Sequence, residues 1–253
     1  MNHQTTLLAA CVLAACMLTS ACGSQYRAPG RPPADSQWVP PAKIMDFSLL
    51  YARNCAGCHG QDGKGGPAIG LGDPVYLAIA DDATIRRVTA GGVPGTAMPA
   101  FAQQSGGMLT DDQIDAIVGG IRARWAKPDA LRGGDLESNV PPYAAKAPGD
   151  PKRGSTVYGV YCASCHGADG HGGKRASSIV DGSYLALVSD QYLRTIVIVG
   201  RPEMGAPDWR GDEPGKPMSP EDVSDVVAWL AALRPQFPGQ PYSTALQPQG
   251  GFR

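Results

Sequence analysis

The chain has 253 residues and a formal net charge of −1, with no excess of the basic side chains that attract nucleic acid. Beyond the N-terminal segment, no stretch approaches the roughly 20 consecutive apolar residues of a membrane-spanning helix. Four of the 7 cysteines form two pairs with identical spacing, and the other three lie within the first 22 residues.

The first 22 residues are predicted to be a signal peptide of the lipoprotein type. Residues 7–19 form an apolar run that suits a signal-peptide core and is too short to span a bilayer. Residues 18–22 read Leu-Thr-Ser-Ala-Cys and resemble a bacterial lipobox, so Cys22 is the predicted lipidation site. Cys16 follows Leu-Ala-Ala and is the alternative lipobox, and an ordinary cleaved signal is a third possibility. All three predict export, and a lipid would hold the chain at a membrane face on the periplasmic side.

Pro-rich and Gly-rich segments divide the rest of the chain. They separate two segments of about 85 residues, each long enough for a small domain whose own core is modest. The predicted order is a Pro-rich tether at 23–43, a first domain at 44–126, a linker at 127–149, a second domain at 150–234 and a Pro/Gly-rich tail at 235–253.

Each predicted domain contains helical patterns in the same order. The predicted helices are 44–54, 82–90 and an apolar stripe over 114–125 in the first domain, then 190–199 and a stripe over 223–233 in the second. Thr110 and Gln113 have the spacing of a capping box at the last helix of the first domain. Ser219, followed by Pro220, is the expected N-cap of the last helix.

Each domain also carries the same short motif near its start, C-x-x-C-H, which is typical of covalent haem c attachment. The two thiols form thioethers to the porphyrin, and the histidine supplies one axial iron ligand. The residues concerned are Cys55, Cys58 and His59 in the first motif and Cys162, Cys165 and His166 in the second. A single zinc site with four thiolates is the alternative, but it leaves the histidine after each cysteine pair unexplained. The sequence therefore predicts two covalently bound haem c groups.

The motif and the helix order around it resemble the class I cytochrome c family in both segments. The resemblance implies a mostly α-helical fold with two tandem cytochrome c domains, each a few helices wrapped around a covalent haem. The first domain departs from the family at Phe47, where the usual glycine is seen as Gly154 in the second domain. Trp229 of the second domain has Gly120 as its nearest counterpart in the first. These differences predict an altered helix crossing in the first domain.

The small number of histidines narrows the choice of the sixth iron ligand. His3 lies in the signal peptide, and His171, in the loop after the second motif, is more simply a solvent-facing side chain. Methionine is the remaining candidate. Met98 lies 39 residues after His59, in a loop that resembles the ligand loop of cytochromes such as those of cbb3-type oxidases.

Met204 lies 38 residues after His166 and is the predicted counterpart of Met98 in the second domain. Met108 and Met218 are the rival methionines, and each stands close to the start of a last helix. Axial Met/His ligation raises a haem's reduction potential. Both haems are therefore expected to act in a relatively oxidising range.

These features favour an electron carrier rather than an enzyme. The expected role is one-electron transfer between periplasmic or membrane redox proteins, with the chain acting freely or as a subunit of a respiratory complex. The alternative is a dihaem redox enzyme of the peroxidase type, which needs one haem with a displaceable distal ligand. The similar spacing of Met98 and Met204 argues against that alternative, and the sequence does not identify the donor or the acceptor.

Overall fold

The computed structural model describes residues 38–131, 140–212 and 215–235. The predicted signal peptide, Cys22, most of the tether and all but the first residue of the tail lie outside the described residues. From Pro41 onward the described residues form one compact unit. Within them no helix combines the length and the apolar character needed to cross a bilayer.

The described residues are helical, with isolated bridges but no named strands, so the predicted mostly α-helical fold is confirmed. The first half contains α1 (Phe47–Asn54), α2 (Ala56–His59), α3 (Pro74–Ile79), α4 (Asp82–Gly91) and α5 (Asp111–Trp125). The second half contains α6 (Pro151–Tyr161), α7 (Ala163–His166), α8 (Gly182–Leu187), α9 (Asp190–Val199) and α10 (Pro220–Ala232). Short 3₁₀ turns cover Pro41–Lys43, Gln103–Ser105 and Pro202–Met204.

Side-chain caps fix where these helices begin. In the described part of the chain, every helix longer than one turn starts after an Asp, Ser or Thr that accepts a backbone N–H. Thr110 forms the predicted capping box with Gln113, and Ser219 is the predicted N-cap. The first helix begins at Phe47 rather than at residue 44, because the Asp46 carboxylate accepts the N–H of Leu49 at 2.7 Å.

The crossing of the first and last helix differs between the two halves, as predicted. A Cβ placed on Gly154 of α6 would lie 2.0 Å from the carbonyl oxygen of Asp225 on α10. In the first half the small residue is on the other helix: a Cβ on Gly120 of α5 would lie 2.1 Å from the ring of Phe47 on α1. The glycine at the crossing therefore lies on the first helix in one half and on the last helix in the other. Phe47 of α1 packs into the space beside Gly120 of α5, whereas Gly154 of α6 lets α10 approach closely.

Gly154→Ala is expected to lower the free energy of unfolding by about 1–3 kcal/mol, because the added methyl group overlaps a rigid carbonyl. Gly159→Ala on the same helix is the matched control, since a Cβ there meets no atom within 4 Å. The control is expected to stabilise the helix by roughly 0.5–1 kcal/mol. Chemical denaturation of the haem-loaded protein measures both, and equal stability of the two variants would contradict the close helix approach.

The end of the predicted linker is bound to the second half. The Arg194 side chain on α9 is buried and donates to the carbonyls of Pro142 and Tyr143 at 2.9–3.1 Å and to the Ser224 hydroxyl at 3.1 Å. Burial lowers the pKa of Arg194. Because three neutral oxygens surround this guanidinium, it holds residues 142–143 against α9 and α10.

Candidate haem-binding sites

The first motif sits on one helical turn that continues from α1. The N–H of Cys55 donates to the carbonyl of Tyr51 at 2.8 Å, so the cysteine follows directly on the helix. The Tyr51 hydroxyl donates to the carbonyl of Gly60 at 2.9 Å and ties α1 to the end of the motif. Gly60 has a φ of 81°, which favours glycine and ends the turn. The turn therefore fixes both thiols and His59 on a short rigid segment.

The loop after the motif fixes the ring of His59. Its Nδ1 lies 2.7 Å from the carbonyl oxygen of Ile69. A carbonyl only accepts, so Nδ1 carries the proton and Nε2 is left as the free donor atom for a metal. The ring is buried, and desolvation lowers the pKa of His59, which favours the neutral ligand form. The arrangement suits the predicted role of His59, which would hold a haem iron through Nε2.

The second motif repeats this arrangement. Cys162 follows α6 with its N–H on the carbonyl of Tyr158 at 2.9 Å, and the Tyr158 hydroxyl donates to the carbonyl of Gly167. Nδ1 of His166 lies 2.8 Å from the carbonyl oxygen of Ser177. Gly167 has a φ of 82°, so the same turn ends in the same way. The two motifs therefore share one geometry, in which each histidine is held through Nδ1.

None of the four motif cysteines is in a disulfide. Burial raises the pKa of the Cys55 thiol to about 12 and that of the Cys162 thiol to about 11. Structural zinc sites need thiolates gathered around one ion. The described residues contain no group of three or more His, Cys, Asp or Glu able to hold a metal ion, so the single four-thiolate zinc site has no support.

A loop between the middle and last helices carries Met98. It begins at Gly92, whose φ is 67°, and the N–H of Val93 donates to the carbonyl of Met98 at 3.0 Å. This bond closes the loop directly after α4, and the Met98 side chain is half-buried. The structure thus presents Met98 on a closed loop, and its role as a ligand stays a prediction.

The other predicted and rival ligands have different surroundings. Met204 is 73% exposed at the end of a 3₁₀ turn, and Met108 is 82% exposed. Met218 is buried in the core, where its N–H donates to the carbonyl of Trp209 at 2.8 Å. His171 is exposed, as expected for a solvent-facing loop residue.

A buried donor without a partner tests whether the second half fits a haem. Nε1 of Trp209 is fully buried and makes no hydrogen bond to any described residue. A haem carries two carboxylates that accept hydrogen bonds, and no described residue supplies an acceptor here. Together with the two histidines held through Nδ1, this donor set fits haem c. Bound haem would supply a one-electron iron couple.

The two halves contact each other beside the first motif. We call the loop that follows the middle helix of each half its distal loop, residues 92–101 in the first half and 200–209 in the second. Arg201, near the start of the second distal loop, donates to the carbonyl of Gly66 at 2.9 Å. The Tyr192 hydroxyl on α9 lies 3.4 Å from the carbonyl oxygen of Pro67. The N–H of Ala68 in turn donates to the carbonyl of Cys58 at 3.0 Å. The distal loop of one half is therefore linked by hydrogen bonds to the haem-attachment loop of the other.

Several of these site residues were not predicted from the sequence. The carbonyls of Ile69 and Ser177 act through the backbone, which leaves no mark on residue type. Their distances from the histidines, ten and eleven residues, are the one available signal. Trp209 was likewise missed, because a buried aromatic residue is ordinarily part of a core.

Comparison with known proteins agrees with the geometry. The family model described as "Cytochrome C oxidase, cbb3-type, subunit III" matches residues 42–119 and again 149–230. The "Cytochrome bc1 complex cytochrome c subunit" of Mycobacterium tuberculosis is 27% identical over 202 residues, which cover 78% of this chain and 66% of that protein. The "Cbb3-type cytochrome c oxidase subunit CcoP" of an Azospirillum species is 33% identical over 155 residues, covering 55% of this chain and 45% of its own length.

The chain thus spans less than two thirds of the length of these relatives. The double match accounts for both C-x-x-C-H motifs and confirms tandem cytochrome c domains with covalently bound haem c. This chain belongs to the cytochrome c family described as cbb3-type cytochrome c oxidase subunit III.

Proposed function

We propose that this protein is a dihaem electron carrier that passes single electrons between redox proteins on the periplasmic side of a membrane. The observation that carries the proposal is the repeated histidine geometry, with Nδ1 of His59 on Ile69 and Nδ1 of His166 on Ser177. Each bond keeps Nε2 unprotonated and fixes the ring plane. In this proposal Cys55, Cys58, Cys162 and Cys165 hold the haems covalently, and His59 and Met98 are the axial ligands of the first.

Rigid ligands suit electron transfer because little has to move when the charge on a metal centre changes. His59 is held by its loop, and that loop is held in turn through Ala68 and the carbonyl of Cys58. Gly66 allows this packing, since a Cβ there would lie 2.2 Å from the carbonyl oxygen of Cys58. The chain's own contribution is thus to keep the histidine ring, the thiols and the surrounding loop in one geometry.

The contact between the halves supports transfer within the molecule. Arg201 has 17% of its side chain exposed and is held by Glu203 at 2.7 Å as well as by Gly66. One core cluster also runs through both halves, including Ile114 of the first and Val223 of the second. A fixed arrangement of the two domains gives electrons a constant path from one haem segment to the other.

The names of the relatives support a place in a respiratory complex. They are subunits of a bc1 complex and of a cbb3-type oxidase by name, and both are longer than the part that aligns with this chain. The proposed partners are therefore redox proteins of a respiratory chain. A small net charge gives no strong field for steering, so we propose that docking relies on local contacts near the haem edges.

A redox titration of the purified mature protein tests the proposal. We expect two covalent haems by intact mass. Each haem is expected to titrate as a one-electron centre and to be reoxidised by a membrane fraction that contains terminal oxidase. Rapid turnover of peroxide with a small reducing substrate would instead favour the enzyme alternative. A protein without covalent haem would end the proposal.

We further propose that the chain is anchored through a lipid on Cys22, which lies outside the described residues. Cys22→Ser is expected to move the cytochrome from the membrane fraction to the soluble periplasmic fraction, while Cys16→Ser leaves it on the membrane. Haem staining of the two fractions measures the distribution. Release by Cys16→Ser alone would assign the anchor to the alternative lipobox, and release by neither variant would contradict lipid anchoring.

A further inference from the structure

The distal loops of the two halves share one hydrogen-bond register. Gly92 and Gly200 each end the middle helix with a positive φ, of 67° and 69°. The next residue donates its N–H across the loop in both halves, from Val93 to Met98 and from Arg201 to Ala206, at 3.0 Å each. By this bond Ala206 stands where Met98 stands in the first half.

The backbone atoms that pack against Gly92 and Gly200 also match Ala206 with Met98. A Cβ on Gly92 would lie 2.6 Å from the N of Ala100, and one on Gly200 would lie 2.7 Å from the N of Asp208. Ala100 lies two residues after Met98, and Asp208 lies two residues after Ala206. The proline that follows Met98 also follows Ala206. The backbone bonds at the start of the loop and the packing against the glycines therefore give the same match of Ala206 with Met98.

Met204 occupies a different place in this register. Its N–H donates to the carbonyl of Arg201 at 2.8 Å, and in the first half the N–H of Thr96 donates to the carbonyl of Val93 at 3.2 Å. Met204 is therefore the counterpart of Thr96, two residues before the ligand position.

The remaining candidates are also differently placed. The N–H of Met218 donates to the carbonyl of Trp209 just as that of Leu109 donates to the carbonyl of Phe101, at 2.8 Å in both halves. Met218 is thus the counterpart of a core leucine that precedes the last helix, and it is buried there. His171 is exposed in the loop that follows the second motif.

We propose that the two haem sites are inequivalent: Met98 supplies a thioether ligand to the first, whereas Ala206 leaves the second without one and open to small neutral ligands. This inference rests on the proposed function, because it requires both motifs to carry haem. The ligands expected at the second site are diatomic molecules such as carbon monoxide, which bind ferrous haem iron when no protein ligand fills the distal side.

Spectroscopy of the haem-loaded protein tests the proposal. The oxidised wild type is expected to show the far-red thioether-to-iron band at the intensity of one haem, and the reduced protein to bind about one carbon monoxide for every two haems. Met98→Ala is expected to abolish the band completely. Ala206→Met is expected to raise it about twofold and to remove carbon monoxide binding, and Met204→Ala is expected to change neither reading.

Other results would overturn the inference. A band that falls by about half in Met204→Ala or in Met218→Ala would assign the second ligand to that methionine. A wild type that binds no carbon monoxide until His171→Ala is introduced would assign it to the histidine. Haem content by intact mass is measured first on every variant. A protein that lacks one haem would contradict the proposed function. A protein that carries both haems but binds no carbon monoxide would instead show that the distal side of the second haem is filled.

Discussion

Replacing Cys55 and Cys58 together with serine is expected to give a protein that carries one covalent haem instead of two. Serine cannot form the thioether, and His59 alone would hold the haem only through its iron. The first domain is small and depends on the haem for part of its apolar contact, so its helices are expected to lose protection from proteolysis as well. Intact mass, haem staining after denaturation and limited proteolysis measure the three effects.

The reciprocal variant with Cys162 and Cys165 as serine is expected to keep the first haem and lose the second. Gly57→Ala is the matched control inside the first motif, because a Cβ at that position meets no atom within 4 Å. It is expected to keep both haems. Loss of both haems from a single cysteine-pair variant would show that the domains do not mature separately, and retention of both would contradict thioether attachment at that motif.

The helices were the part of the fold that local sequence patterns could predict. The middle helix of the second domain is observed at Asp190–Val199, as predicted, because Ser189 caps it and Gly200 ends it. The helices Pro74–Ile79 and Gly182–Leu187 were not predicted, since six residues are too few for a periodic pattern. Asp73 and Asp181, which cap them, were the available signal.

The exchange of Phe47 and Gly120 could be predicted only as a departure from the family. Against the family pattern, the first helix has Phe47 where glycine is usual, and the last helix has Gly120 where the second domain has Trp229. Only the structure shows that the two changes compensate, since a Cβ on Gly120 would meet the Phe47 ring. Trp125 then packs edge-on against Tyr51, with 5.0 Å between ring centroids, and completes the aromatic cluster.

Counting residues from the motif histidine matches the distal loops differently from their backbone hydrogen bonds. Met98 lies 39 residues after His59 and Met204 lies 38 after His166, which made the two methionines look equivalent. The segments before the middle helices differ in length by one residue, and the intervening loops absorb that difference. The hydrogen bonds that follow Gly92 and Gly200 do not depend on that difference, and they support the proposed match of Ala206 with Met98. Met204 as a ligand stays a prediction that the variants test.

Met98→Ala is expected to lower the reduction potential of one haem by roughly 100 mV or more while leaving the other unchanged. A thioether stabilises ferrous relative to ferric iron, and alanine supplies no ligand in its place. For a one-electron centre each 59 mV is about a tenfold change in the equilibrium constant, so the shift corresponds to at least about fiftyfold. The haem that shifts is expected to be the one of higher potential in the wild type, because the second site lacks a thioether in the proposed arrangement.

Met108→Ala is the control for this shift, since Met108 lies in the same domain, is 82% exposed and precedes the core leucine at the start of the last helix. It is expected to leave both potentials within a few tens of millivolts of the wild type. Potentiometric titration monitored in the visible region resolves the two centres. An unchanged upper potential in Met98→Ala would show that another side chain ligates the first haem, and an equal fall in both variants would attribute the effect to loop packing instead of ligation.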